Sequence, residues 1–94
     1  MIQKLIKKYI LIQKKQFNSA IIQAQALDKR EKGEGFRLME LGSMCIQNKN
    51  YSAGRNAFKY VVDLGEDKQY FFSAEYALLN ARFIEITQQR NYSQ

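Results

Sequence analysis

The sequence predicts an all-α domain, and three features of its 94 residues support that prediction. Apolar residues recur at spacings of three and four along most of the chain, which is the period of an amphipathic helix. No apolar/polar alternation of strand length is present in the sequence. The chain also has no proline, the residue that most often marks turns in β folds. We expect one domain of about five helices.

Two helices are predicted in the first third of the chain. One is expected over 2–13, where the apolar residues share a helical face and most lysines fall elsewhere. The other is expected over 16–32, with Gly33 and Gly35 as helix breakers beyond its end. Two helices in so short a span indicate a helical hairpin.

Two further helices are predicted in the middle of the chain, over 36–48 and 51–64. Lys49 and Asn50 form the turn between them, and Gly65 stands where a left-handed C-terminal cap belongs. Apolar residues at helical spacing give each helix a buried-looking stripe. This segment is therefore expected to be a helix–turn–helix unit.

The last predicted helix, over 70–89, has two apolar rows on different sides. One row contains Phe71, Ala74, Leu78 and Ala81, and the other contains Phe72, Tyr76, Leu79, Phe83 and Ile86. A helix that is apolar on two sides needs a neighbour on each side. We expect either that the chain is part of a longer helical array whose next helix covers the second row, or that another molecule covers it. A homodimer through helix 70–89 is one form of the second alternative.

The composition argues against catalysis. With no histidine, the chain has no imidazole for a catalytic triad, a general base or a metal ligand. Its single cysteine, Cys45, lies on the inward side of a predicted helix and is interpreted as a small buried apolar residue. The segment 33–35, Gly-Glu-Gly, lacks the rest of a phosphate-binding loop and is interpreted as a break between helices. We expect no enzyme activity, no cofactor and no metal.

The basic charge of the chain is concentrated at its beginning. The formal net charge is +6, and the first 15 residues contain no acidic residue and five lysines: Lys4, Lys7, Lys8, Lys14 and Lys15. Two interpretations stay open. The lysines either keep the outer face of a terminal helix in water, or form a basic patch that binds nucleic acid or an anionic membrane surface.

No segment of the sequence resembles a targeting or membrane-spanning element. The apolar runs are far shorter than the roughly 20 residues that a membrane-spanning helix needs. The longest early apolar run is also too short for a secretory signal. A cytoplasmic location is therefore favoured.

An internal repeat is present at an offset of 34 residues. Phe17 aligns with Tyr51 and Ala20 with Gly54. A third start is expected at Asn91, which is 41 rather than 34 residues after the second start at Asn50. A helix–turn–helix unit with this period resembles the tetratricopeptide repeat (TPR) family. The second unit matches the pattern of that family best, at Leu38, Leu41, Gly42, Tyr51, Gly54 and Phe58, and less well at Cys45.

The resemblance implies a short right-handed α-solenoid of about two and a half units, over 1–34, 35–68 and an incomplete 69–94. Such a fold is a non-catalytic module for protein–protein interaction, and its first helices line a concave groove for a peptide or a partner's helix. By resemblance, the groove positions are Leu5, Tyr9, Ile12, Phe36, Met39, Ser43 and Ile46. The alternative is that these residues simply belong to the core.

Overall fold

The computed structural model describes the backbone of residues 2–93 and the side chains of residues 16–88. This backbone forms the helices α1 (Ile2–Glu31), α2 (Phe36–Gln47), α3 (Tyr51–Asp63) and α4 (Phe71–Ser93). No strand occurs in residues 2–93, so the predicted all-α class is confirmed.

The first two predicted helices are one helix, so the predicted hairpin in residues 1–32 is wrong. Helix α1 runs for 30 residues without a break near Lys14 or Lys15. The junction 13–16 consists of lysine and glutamine, which are good helix formers, and it has no glycine or proline to interrupt the backbone hydrogen bonds. Residues 2–93 therefore contain four helices rather than about five, and the first unit of the predicted repeat is not a helix–turn–helix.

Helices α2 and α3 form the predicted hairpin, with bounds within one residue of those expected. Gly42 lies where the two helices cross, and a Cβ atom added there would be 2.6 Å from Cε1 of Phe58. The absence of a side chain at Gly42 thus lets the Phe58 ring rest against the backbone of α2. A small residue at position 42 therefore permits the close packing of α2 and α3.

The core lies where α3 meets the other helices, and small side chains dominate it. Its buried apolar residues are Ile21, Ala24, Leu38, Cys45, Ala53, Ala57, Phe58, Val61, Ala74 and Ala81. Five of these ten are alanine, so the helices pack with little side chain between them. Cys45 is fully buried, as predicted.

A buried carboxylate joins the end of α1 to the start of α2. Asp28 is 4% exposed, and its two oxygens accept the backbone N–H groups of Arg37 and Leu38, each at 3.2 Å. The N-cap residue of α2 is Gly35, which has no side chain to offer. Asp28, at the end of α1, therefore takes the role of an N-cap side chain and accepts the free N–H groups at the start of α2. Its negative charge also faces the positive end of the α2 dipole.

The turn between α1 and α2 is built around the same aspartate. The N–H of Gly33 donates to the carbonyl oxygen of Asp28 at 2.8 Å, which closes the end of α1. A Cβ atom at residue 33 would lie 2.6 Å from Oδ1 of Asp28, so only glycine fits beside the carboxylate. The segment 33–35 is thus a turn between helices, as predicted.

Helix α2 ends with a lysine in the left-handed conformation that glycine usually takes. Lys49 has a φ of 62°, its N–H donates to the carbonyl of Ile46, and the N–H of Asn50 donates to the carbonyl of Cys45. This is a Schellman end with a non-glycine residue at its left-handed position. Gly65 has a φ of 123° at the end of α3, which agrees with its predicted role.

Helix α4 is longer than predicted, and the expected third repeat start at Asn91 is wrong. The helix begins at Phe71 and continues through Ser93, because residues 88–92 contain no glycine or proline to end it. The loop before it is held to the start of α2, where the rings of Phe36 and Tyr70 lie with centroids 5.9 Å apart.

We expect Asp28→Ala to lower the free energy of unfolding by about 1–3 kcal/mol, because it leaves two N–H groups at the start of α2 without an acceptor. Urea unfolding followed by circular dichroism measures this. Glu31→Ala is the matched control: Glu31 also binds Arg37, but its side chain is 49% exposed, so its loss is expected to cost under about 0.5 kcal/mol. Equal losses in both variants would contradict the capping role.

We expect Lys49→Gly to raise the free energy of unfolding by about 0.5–1 kcal/mol, because glycine adopts a positive φ without a steric penalty. Lys59→Gly, at an exposed position inside α3, is the control and should lower it by about 1 kcal/mol. Thermal unfolding of both variants beside the wild type tests the pair. Destabilisation by both would show that the conformation at residue 49 carries no strain.

Candidate functional site

An apolar row runs along the outer side of α4 and is not covered by any other described part of the chain. We call it the outer row; its residues and their exposed fractions are Phe72 (74%), Tyr76 (72%), Leu79 (69%), Phe83 (69%) and Ile86 (54%). Isolated apolar residues are normal on a protein surface, but a continuous row of five large ones is typical of an interaction site.

The outer row has the spacing of a coiled-coil seam. Its residues are separated by four, three, four and three positions, which is the heptad pattern of core positions. A helix that pairs with another helix through such a seam buries every member of the row. The spacing therefore indicates that the row is shaped for a second helix.

The opposite face of α4 is packed on α3 and fixes the direction of the outer row. Ala74 and Ala81 are almost fully buried there. The hydroxyl of Tyr51 donates to Oε1 of Gln88 at 2.5 Å, and Arg55 makes an ion pair with Glu85. Contacts spread along the helix hold it against α3, so the large side chains of the outer row point away from the core.

Two of the predicted groove positions lie beside α4. Ser43 and Ile46 line a shallow pocket of about 190 Å³ between α2 and α4, together with Ala77 and Asn80. Ser43 is exposed and Ile46 is half-buried. This pocket borders one flank of the outer row, so the structure brings these two positions and α4 to one surface.

The other predicted positions are placed differently or lie outside the described side chains. Met39 is half-buried and packs against the core cluster, and Phe36 rests on Tyr70. The remaining groove positions, Leu5, Tyr9 and Ile12, lie outside residues 16–88, as does the basic patch of Lys4, Lys7, Lys8, Lys14 and Lys15. Binding through that patch stays a prediction.

A second pocket lies near the start of α2 and has basic residues at its edge. It measures about 510 Å³, and its lining includes Lys29, Lys32 and Lys68. An anion would need free N–H groups at the helix start. The N–H groups of residues 37 and 38 donate instead to the two carboxylate oxygens of Asp28. Those of residues 36 and 39 donate to the carbonyl oxygens of Gly33 and Gly35, respectively. The helix end is therefore already satisfied within the chain.

The described residues offer little reactive chemistry. Burial raises the pKa of the Cys45 thiol, which favours its unreactive protonated form. No group of three metal-ligating side chains occurs in the described part of the chain. None of the helices in that part is long and apolar enough to cross a membrane.

Sequence reasoning missed the role of Asp28, although a signal was present. Asp28 lies seven residues after Ile21 and four residues after Ala24, so it shares their buried face. An acidic residue on an apolar face, ahead of a helix start that lacks a capping side chain, indicates a carboxylate that caps from a distance.

No protein-family model matches the chain, and no curated protein or solved structure is significantly similar to it. The function must therefore be inferred from the geometry of the molecule itself.

We expect Cys45 to react with a thiol reagent such as DTNB at least about 100-fold more slowly in the folded chain than in urea, because it is fully buried and protonated. The control is the double variant Met44→Cys/Cys45→Ala, which moves the thiol to a position that is 53% exposed and should react quickly. Rapid reaction of native Cys45 would contradict the packing of α2.

Proposed function

We propose that the chain is a non-catalytic helical module for protein–protein interaction, and that it holds another polypeptide against the outer row of α4. The observation that carries this proposal is the exposure of all five large apolar side chains of that row. A patch of this kind on a surface is unfavourable in water and is typical of a site that a partner covers.

The partner surface is proposed to be a helix. The heptad spacing of the outer row suits a helical partner, because a helix presents apolar side chains with the same period. The pocket lined by Ser43 and Ile46 adjoins the row and gives room for a side chain at its flank. The aromatic members, Phe72, Tyr76 and Phe83, are the type of residue that often contributes most binding energy at interfaces.

A TPR-like arrangement of residues 36–93 is part of the proposal. Its support is the α2/α3 hairpin with its close crossing at Gly42, followed by α4 packed on α3. In this interpretation α4 takes the place of the first helix of a further unit, and its outer row is the surface that the next element of a stack would cover.

The proposal of a non-catalytic role rests on composition and burial. The sequence has no histidine, and its one thiol is enclosed in the core. The chain therefore has no imidazole that could act as a base at the outer row, and its thiol is not accessible there as a nucleophile.

We expect Leu79→Glu to abolish the capture of bound polypeptides by the tagged chain from its native host, because it places a charge in the middle of the outer row. Circular dichroism should be unchanged, since Leu79 is 69% exposed. The matched control is Ile22→Glu, which adds the same charge at a 66% exposed apolar residue of α1 and should keep the bound polypeptides. Equal capture by both variants would contradict the proposal.

A further inference from the structure

We propose that the polypeptide covering the outer row is a second copy of this chain, with the two α4 helices paired antiparallel about a two-fold axis. The inference rests on the proposed function in one respect, that the row binds a helix. The arrangement of charges along its two edges is what identifies the helix.

The edges of the outer row differ in chemistry. In heptad terms Tyr76 and Phe83 occupy the a positions, and Phe72, Leu79 and Ile86 occupy the d positions. One edge, the g positions, carries Glu75 and Arg82, and the other edge, the e positions, carries the neutral residues Ser73, Asn80 and Thr87. The chain thus has one acidic and one basic residue on a single edge, seven positions apart.

Antiparallel pairing matches these edges to each other. In an antiparallel pair an a residue faces a d residue of the other helix, and each g edge faces the other g edge. One register places Tyr76 against Leu79 of the second copy and Phe83 against Phe72 of the second copy, each twice by symmetry. The same register places Glu75 against Arg82 of the second copy, also twice. Four apolar layers and two ion pairs therefore form together.

Other alignments of two α4 helices lose this match. A parallel pair places each g edge against an e edge, so Glu75 meets Asn80 and Arg82 meets Thr87. An antiparallel pair shifted by one heptad, with Tyr76 against Ile86, places the two Arg82 side chains opposite each other. Like charges in that position repel. The charges thus select one register among the alternatives that bury the row.

Glu75 and Arg82 are available for this role. Both side chains are exposed, and no ion pair among residues 16–88 includes either of them. Along one helix they are about 10 Å apart, from 1.5 Å per residue, so they do not pair within a single copy. The nearby Glu85 is already paired with Arg55 of α3.

The area of the row is sufficient for a stable dimer. In this register Phe72, Tyr76, Leu79 and Phe83 face the second copy, whereas Ile86 lies beyond the start of the opposing helix. A large side chain offers roughly 150–250 Å², and the four opposed residues are each about 70% exposed, so one copy contributes roughly 400–700 Å². Two copies bury roughly 800–1,400 Å², which overlaps the lower part of the range of about 1,200–2,000 Å² for stable interfaces.

The test is the mass of the purified full chain in solution, measured by sedimentation equilibrium over a concentration series. The wild type is expected to be a dimer and Leu79→Glu a monomer with unchanged circular dichroism. Glu75→Arg is expected to weaken the dimer roughly tenfold, since each new arginine faces Arg82 of the second copy. Glu75→Arg combined with Arg82→Glu is expected to restore the wild-type affinity.

Glu66→Arg, which makes the same charge change in the exposed loop after α3, is the control and should leave the dimer unchanged. A wild-type chain that stays monomeric at all concentrations would overturn the inference. A dimer in which the double variant is no better than Glu75→Arg would also overturn it, because the two charges are then not opposed. If the wild-type chain is monomeric and binds a different host protein that Leu79→Glu does not bind, the proposed function is supported and the self-pairing is wrong.

A spin label at Thr87→Cys checks the direction of the helices, since Cys45 is buried and should not be labelled. In the proposed register the two labels are about 30 Å apart, from 19 residues at 1.5 Å each and the spacing between helices. A parallel pair would bring them to about 10–15 Å. A short distance would overturn the antiparallel arrangement.

Discussion

The arrangement of α1 and α2 depends on one buried carboxylate. Asp28 sits at the end of α1, yet it satisfies the N–H groups that begin α2. Since those groups and the carboxylate are both costly to bury without a partner, the end of α1 cannot move away from α2 without a loss on both sides. Gly33 is required beside it for steric reasons, and Arg37 links it to Glu31 at the surface. The turn thus fixes the position of the end of α1 relative to the start of α2.

The second constraint is the difference in size between the two faces of α4. The inner face presents Ala74 and Ala81, which let the helix lie close to α3, while the outer face carries aromatic and branched residues. Close packing of backbones favours small residues at the contact. Because the small residues of α4 face α3, its large residues lie on the opposite side, in water. The internal packing of the chain therefore creates the surface that we propose as its binding site.

Periodicity was a good guide where breakers were present and a poor one where they were absent. The bounds of α2 and α3 followed from the turn at Lys49 and the glycines around them. At residues 13–16 the apolar pattern predicted a break, but the Lys and Gln residues there are good helix formers and α1 continues through them. The surroundings of the groove positions also came from the tertiary structure. Ser43 and Ile46 border α4, Met39 packs against the core, and Phe36 contacts Tyr70 while it stays 46% exposed.

The sequence by itself determined that the chain is helical, where most helices end, and that α4 has two apolar rows. These are properties of neighbouring residues along one helix, which the spacing of apolar side chains records directly. Only the tertiary structure decided which row is buried and that Asp28 caps α2. Both depend on groups far apart along the chain: Ala74 lies against α3, and the carboxylate of Asp28 meets an N–H ten residues later. Contacts of that kind are set by how closely two helices can approach, and the sequence of one helix does not contain that information.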